Sequence, residues 1–223
     1  MAQTTAMDDP SQPTKAQLLD EVPSSFDTTR LSFDGLRGDA ARHLSRSALE
    51  AALAALPPAP TDEGTVDRLV ARTADGGRIL HEKARLTVTG GMPGDRFSAQ
   101  SKYGPDYQLA TTRTDFARAV ANGQPLELHG DNLFVSLDLS EANLPAGSQV
   151  RIGDALLVVT PVAHNGCKKW VQRFGLAAMR LNMAPAYRPM HLRGIYLRVL
   201  EDGECAIGDP VVVVSRASAA AVE

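Results

Sequence analysis

The sequence has only two cysteines, Cys167 and Cys205, well separated in 223 residues. A disulfide-stapled framework needs more of them, so a reducing compartment, the cytoplasm, is the expected setting. No apolar run approaches the roughly 18 residues of a membrane-spanning helix, and no membrane association is expected. The opening MAQTTAMDDPSQPTK lacks the basic start and apolar core of a signal peptide. Positive charge is not in excess: 23 Lys and Arg stand against 26 Asp and Glu, for a net charge of -3. General nucleic-acid binding, which calls for a clearly basic domain, is excluded on that ground. Regular crossover helices between strands are missing as well, which argues against a βαβ array.

The most informative absence is local. Between Ala155 and Leu200 there is no Asp or Glu, where about five are expected from the composition. The same window carries Lys168, Lys169, Arg173, Arg180, Arg188, Arg193 and Arg198. At its centre Cys167 sits between Gly166 and two lysines, with His164 three residues before it. The thiolate is the nucleophilic and metal-ligating form of cysteine, and nearby positive charge favours it. The window reads as one wall of a site for a small anionic ligand, built around Cys167. The plainer alternative is a buried cysteine beside a solvated basic face. A zinc site would need three or four ligands, and His-x-x-Cys supplies two. A cysteine–histidine hydrolase would need a third orienting group, which the spacing does not provide.

A hydrophobic fraction of 43% supports a real core, in one large domain or a domain with an extension. Residues 1–13 are expected to be disordered, 14–60 to form an arm with a capped helix, 61–216 to form the main domain, and 217–223 to fray. In the arm, Lys15 to Glu21 suits a short helix ending before Pro23, and 24–46 reads as extended. Ser47 and Glu50 make a capping box ahead of the stripe Leu49, Leu53, Leu56, and Pro57-Pro58 stops that helix.

From Thr65 the pattern turns to strands. Residues 66–73 and 78–83 flank Ala74-Asp75-Gly76-Gly77, a hairpin turn, and 84–89 continues as strand. Strands are also expected at 108–112, 126–128 and 133–139, with Gly130-Asp131-Asn132 a polar turn between the last two. Thr114 is expected to cap a helix over 115–121 that closes at Asn122-Gly123. Two segments repeat: Ile152-Gly153-Asp154 leads into an apolar run, and so does Ile207-Gly208-Asp209. Such Gly-Asp turns feeding buried strands suggest a closed or strongly bent sheet. Trp170, Phe174 and Leu181 give a helix face and are expected in the core. Ile195, Leu197 and Val199 alternate as a strand, which Asp202-Gly203 turns into a last hairpin holding Cys205 as a small core hydrophobe. His43, His81, His129 and His191 join no constellation.

Taken in order, Gly94-Asp95-Arg96-Phe97, Gly130-Asp131-Asn132-Leu133, Ile152-Gly153-Asp154-Ala155, His164-Asn165-Gly166-Cys167-Lys168-Lys169, Arg173-Phe174-Gly175, Leu192-Arg193-Gly194-Ile195-Tyr196 and Ile207-Gly208-Asp209-Pro210-Val211 resemble a MOSC domain. This is the module named for the C-terminal part of molybdenum cofactor sulfurase, and the resemblance spans roughly 64–216. The capped helix before it is similar to the leader of stand-alone bacterial members. The resemblance implies a β-rich α+β fold, a barrel-like mixed sheet with a few short helices behind an N-terminal helical arm.

It also implies one functional cysteine, and Cys167 falls on that position. In members that bind molybdenum cofactor the thiolate ligates molybdenum; elsewhere the cysteine has been proposed to carry sulfur as a persulfide for delivery to metal-sulfur centres. Stand-alone bacterial members are similar to enzymes that reduce N-hydroxylated bases and amidoximes with electrons from partner redox proteins. The alternatives are thus a molybdenum oxidoreductase, a sulfur carrier with a donor or acceptor protein, and a cofactor-binding module without turnover. The cofactor carries a pterin and a phosphate, and Lys168, Lys169, Arg173, Arg188 and Arg193 are candidates for the phosphate. Asp131 and Asn132 either bind the pterin or hold their turn. His164 either poises the thiol or shapes its loop, and Asp95 with Arg96 reads as an internal pair. Members of the mitochondrial amidoxime-reducing type often carry an added N-terminal β-barrel, whereas this chain has a helical arm before residue 61. Their cofactor residues therefore carry over only at Cys167 and, loosely, at Asp131-Asn132. No ferredoxin or flavin motif is present, so electrons would come from another protein.

Overall fold

The computed structural model describes residues 11–99 and 104–218. Most of the expected disordered terminus, and most of the expected frayed tail, lies outside the described residues. The strands are β1 (Glu63–Arg72), β2 (Arg78–His81), β3 (Lys83–Leu86), β4 (Leu109–Arg113), β5 (Leu133–Val135), β6 (Gln149–Ile152), β7 (Ala155–Val159), β8 (Ile195–Glu201), β9 (Gly203–Ala206) and β10 (Pro210–Ser215). The helices are α1 (Lys15–Asp20), α2 (Arg46–Ala54), α3 (Thr114–Ala121), α4 (Lys168–Phe174) and α5 (Leu176–Met183). No helix among the described residues is long and apolar enough to cross a membrane.

Seven strands close into a barrel in the order β1-β10-β6-β7-β8-β4-β5, and β5 returns to β1. The β4–β5 pair is parallel and the rest antiparallel, so the sheet is mixed, as the sequence led us to expect. Closure works because β1 is long. Its first residues pair with β10 and its middle with β5, so one strand bridges both edges. The two Gly-Asp turns lead into β7 and β10, two strands that flank β6 in this wall. The expected hairpin joins β1 to β2 with Arg72 opposite Arg78, and Gly76 supplies the positive φ its turn requires.

Period-2 alternation divides the strands between two cores. Leu69, Leu133 and Val135 point into the barrel, with Leu157, Ile195 and Val211. Their neighbours Val70 and Phe134 point outward, into a second core with Phe116, Trp170 and Phe174. The arm belongs to that second core. Leu18, Leu31 and Leu49 are each at most 1% exposed there, and burying a leucine side chain contributes about 1.5–3 kcal/mol.

Several local expectations are corrected. Ser45, not Ser47, caps α2: its Oγ accepts from Ala48 N at 3.2 Å, while Glu50 pairs back with Arg46 at 2.6 Å. A serine sits at either position, and the i,i+4 ion pair with Arg46 selects the earlier start. Thr114 does not cap α3, because its hydroxyl donates to Asp67 on β1. The segment 126–128 is a 3-10 turn, Leu126–His129, rather than a strand, and the strand expected at 133–139 ends at Val135, where β10 takes over the pairing with β1. There is no last hairpin of the kind expected: β9 leaves β8 and pairs with β3 in a separate ribbon. Gly203 permits that departure, since a Cβ there would stand 2.2 Å from Ala155 N.

Candidate functional site

The site begins with buried charge. In the turn after Gly130 (φ +79), Asp131 and Asn132 are both 0% exposed. Asn132 joins three elements. Its Oδ1 accepts from Ala110 N at 3.1 Å, and its Nδ2 donates to Val70 O at 3.0 Å and to Asp95 Oδ2 at 2.8 Å. Asp95 in turn accepts from Arg72 Nε and Nη2 at 2.9 and 3.0 Å and from Phe97 N at 2.8 Å. Burial pushes the Asp95 carboxyl up, but the bonds from Arg72 outweigh it and hold the group below its ordinary range. Asp131 takes Arg193 Nη1 on both oxygens, and Arg193 Nη2 donates to His129 O at 2.9 Å. The expected support of the 94–97 loop by Asp95 thus runs through Arg72 and Asn132.

Behind this layer His129 is fixed as the neutral tautomer. Nε2 faces Ala117 O at 2.9 Å, and Nδ1 faces Trp170 Nε1 at 3.4 Å. Indole N–H only donates, so Nδ1 is the acceptor. Burial, then Arg193, pushes His129 down to about 3. His164 sits on Tyr196, ring centroids 4.4 Å apart, with Nε2 3.5 Å from Asp131 Oδ1. Burial first, then Arg193, moves it well below its ordinary value, so it too is neutral. Its recorded partners are Asp131 and Tyr196; no hydrogen bond joins it to Cys167.

Above the layer opens a cavity of about 250 Å³ lined by Cys167 and by six cationic side chains, Arg72, Arg78, Arg96, Lys169, Arg173 and Arg193. Among the described residues Asp34 is the one carboxylate on its lining. Cys167 is exposed, whereas Cys205 is buried in β9 with its thiol pushed up to about 12 by burial. Several of the cations are held by carbonyls rather than carboxylates. Arg78 Nε donates to Glu127 O at 2.9 Å, Arg173 donates to Leu36 O and Leu128 O, each at 2.9 Å, and Lys169 Nζ donates to Asp34 O at 3.1 Å. Carbonyls orient a cation without cancelling its charge, so Arg78, Lys169 and Arg173 add unbalanced positive charge, whereas Arg72 and Arg193 are matched by Asp95 and Asp131. Burial first and then Arg78 bring Arg173 down to about 10; burial, then Arg96 and Arg173, lower Lys169. An anion entering the cavity relieves that mutual repulsion.

The structure therefore brings together Cys167, His164, Lys169, Arg173 and Arg193 of the residues expected from sequence. Asp131 stands behind Arg193, and Asn132 is sealed into the framework. Lys168 and Arg188 are not on the cavity lining; Arg188 lines a neighbouring cavity on the far side of the 161–165 loop. Arg180 binds the arm carbonyls of Leu19 and Val22, and Arg198 pairs with Asp106. Sequence reasoning missed Arg72 and Arg78 as site residues, and also Arg96, Tyr107, Tyr196 and Asp34. For the first two a signal existed: they bracket the β1–β2 turn. Among the described residues no cluster of three or more His, Cys, Asp or Glu is arranged to hold a metal ion.

Residues 103–212 match the family profile of the MOSC domain. Among solved structures, one described only as a hypothetical protein is similar at 23% identity, with a TM-score of 0.52 and 70% of each chain covered. The YuaD protein from Bacillus subtilis is similar at 20% identity, with a TM-score of 0.53, covering 70% of this chain and 97% of that one. These two likenesses bear on the fold. No curated protein matches the chain.

Proposed function

The chain belongs to the MOSC domain family, and from that premise we propose that it is a molybdenum-cofactor-binding oxidoreductase that reduces N-hydroxylated small molecules with electrons from partner redox proteins. The observation that carries this reading is an exposed thiol, Cys167, on the lining of a cavity to which the described residues bring six cationic side chains and one carboxylate.

The residues present fit such a cofactor. A soft thiolate suits a metal already held by sulfur. Lys169, Arg173 and Arg78 supply fixed donors for a phosphate, with the guanidinium forks best suited to it. Two buried atoms beside the cavity, Arg193 Nε and His164 Nδ1, have no hydrogen-bond partner among the described residues. Buried polar atoms are rarely left unpaired, and a polar ligand group is one way to satisfy them. When bound, the cofactor supplies a two-electron redox centre.

The chain's own residues do the rest. Cys167 provides the anchoring ligand, and Lys169 and Arg173 orient the anionic end. Reducing an N–OH group to N–H takes two electrons and two protons and releases water. Tyr196, on the cavity lining beside His164, is raised by burial and keeps its phenolic proton at neutral pH. The electrons enter from a protein partner, for which the exposed rim leaves Cys167 accessible.

The test is the molybdenum content of the protein purified from a host that makes the cofactor, compared with Cys167→Ser. Near-stoichiometric metal in the wild type, lost in the variant, is the expected result. No metal in either overturns the reading and favours the sulfur carrier, which would show a persulfide mass on Cys167.

A further inference from the structure

We propose that Asp34, carried by the N-terminal arm, selects the heterocycle bound in this cavity by accepting hydrogen bonds from the 2-amino and ring N–H edge of a pterin. The inference rests on the cofactor reading above and adds to it a residue of the arm, outside the residues 103–212 that match the MOSC profile.

Asp34 is exposed and lines the cavity, and its charge opposes the burial that lowers Lys169, yet among the described residues no ion pair or hydrogen bond engages its carboxylate. The two carboxylates beneath are spent, Asp95 on Arg72 and Asp131 on Arg193. Asp34 thus acts on Lys169 through its charge and keeps its two carboxylate oxygens open to a ligand.

Its position is nonetheless fixed. Its own carbonyl accepts from Lys169 Nζ at 3.1 Å, and two residues on, Leu36 O accepts from Arg173 Nε at 2.9 Å. On the other side the Phe33 ring is wedged among three cations, Arg37 at 5.0 Å, Lys169 at 5.5 Å and Arg173 at 5.7 Å. Gly35 (φ +105) lies flat against the β1–β2 turn: a Cβ on Gly76 would stand 2.9 Å from Gly35 Cα. The arm thus arrives braced at both flanks of Asp34, and the carboxylate costs little further ordering when it binds.

Such a cavity selects a ligand with two unlike groups. Arg78, Lys169 and Arg173, held by carbonyls, favour an anionic group, and the carboxylate of Asp34 on the same lining favours a pair of N–H donors. A carboxylate accepts two parallel N–H bonds, and a pterin offers that pair on one edge. Tyr107 and Tyr196, ring centroids 5.3 Å apart, line the same cavity and give a flat ring an aromatic wall. The competing explanation is that Asp34 only damps positive charge. The two differ in sign: removing a charge damper strengthens every anionic ligand, whereas removing a recognition group weakens the pterin.

The experiment is a fluorescence titration of the full chain with pterin and with lumazine, which carries an oxo group in place of the 2-amino group, alongside titration with inorganic phosphate. The wild type is expected to prefer pterin about ten- to a hundredfold, the range for one charge-assisted hydrogen bond. Asp34→Asn and Asp34→Ala are expected to lose the preference while binding phosphate as well or better, with unchanged melting temperatures. Pterin retained per chain after purification, read by fluorescence after oxidation, should fall in both variants. If the variants bind and retain pterin as the wild type does, Asp34 is not the selecting group although the cofactor reading stands. If the wild type binds neither pteridine, both fall together.

Discussion

Arg193 places one nitrogen, Nη1, between both carboxylate oxygens of Asp131, at 2.8 and 2.6 Å, at a point where Asp131 is wholly buried. The pair joins two distant motifs, and it sets the height of the cavity floor, because the far side of Arg193 lies over the Trp170 ring at 5.4 Å. Removing one partner strands the other charge. Asp131→Asn is therefore expected to cost about 3–5 kcal/mol in urea unfolding. A loss below about 1 kcal/mol would mean that Arg193 finds another counter-charge.

Acid should weaken the protein through its buried histidines. His129 has an ordinary value near 6.5 unfolded and about 3 folded, so its folded value is depressed. A base in that position binds more protons unfolded, and stability is complete above about pH 6.5 and lost as pH falls toward 3. At pH 5 the loss from His129 alone is about 2 kcal/mol, and His164, depressed by burial as well, adds to it in the same direction. Urea midpoints at pH 7.5 and pH 5 check this, and equal midpoints would contradict the neutral, buried assignment.

Much of the barrel was legible because its signals are local. Gly-Asp turns and alternating β strands are read within ten residues, and the repeated turn suggested closure. The 126–128 segment reads as a strand because Leu-Glu-Leu alternates, while in the structure the Leu128 and His129 carbonyls accept from the Arg173 and Arg193 guanidinium groups. The site was half legible for the same reason. The acid-free window exposed Cys167, Lys169, Arg173 and Arg193, which lie within 27 residues of one another. Arg72, Arg78 and Asp34 reach the cavity from a hairpin and an arm far back in the chain, and no one-dimensional window joins them.

The arm should behave as part of the domain. Leu18 and Leu31 are buried in the same core as Trp170 and Phe174. Leu18→Ala and Leu31→Ala are each expected to lower the stability of the whole domain by about 2–5 kcal/mol, seen by Trp170 fluorescence in urea. An arm that folded as a separate appendage would leave the Trp170 transition where it was.

The field of the cavity should be measurable at its own thiol. Cys167 is exposed and Cys205 is buried with its thiol raised to about 12, so alkylation of the native protein at pH 8 should label Cys167 alone. Iodoacetate and iodoacetamide attack through the same thiolate, so the ratio of their rates, taken against free cysteine, cancels thiol ionisation and reports the local potential. With Arg78, Lys169 and Arg173 on the cavity wall held by carbonyls, that ratio should favour the anionic reagent by about tenfold at low salt. Salt at about 0.5 M should shrink it, since exposed charges are screened within a few ångströms there. Lys169→Ala should lower the ratio without changing the site labelled, because Lys169 contributes charge to the wall and is held by the arm carbonyl of Asp34 rather than by a carboxylate. A ratio equal to that of free cysteine would show that backbone-held cations are already neutralised by solution anions, and the anion-binding argument would fail with it.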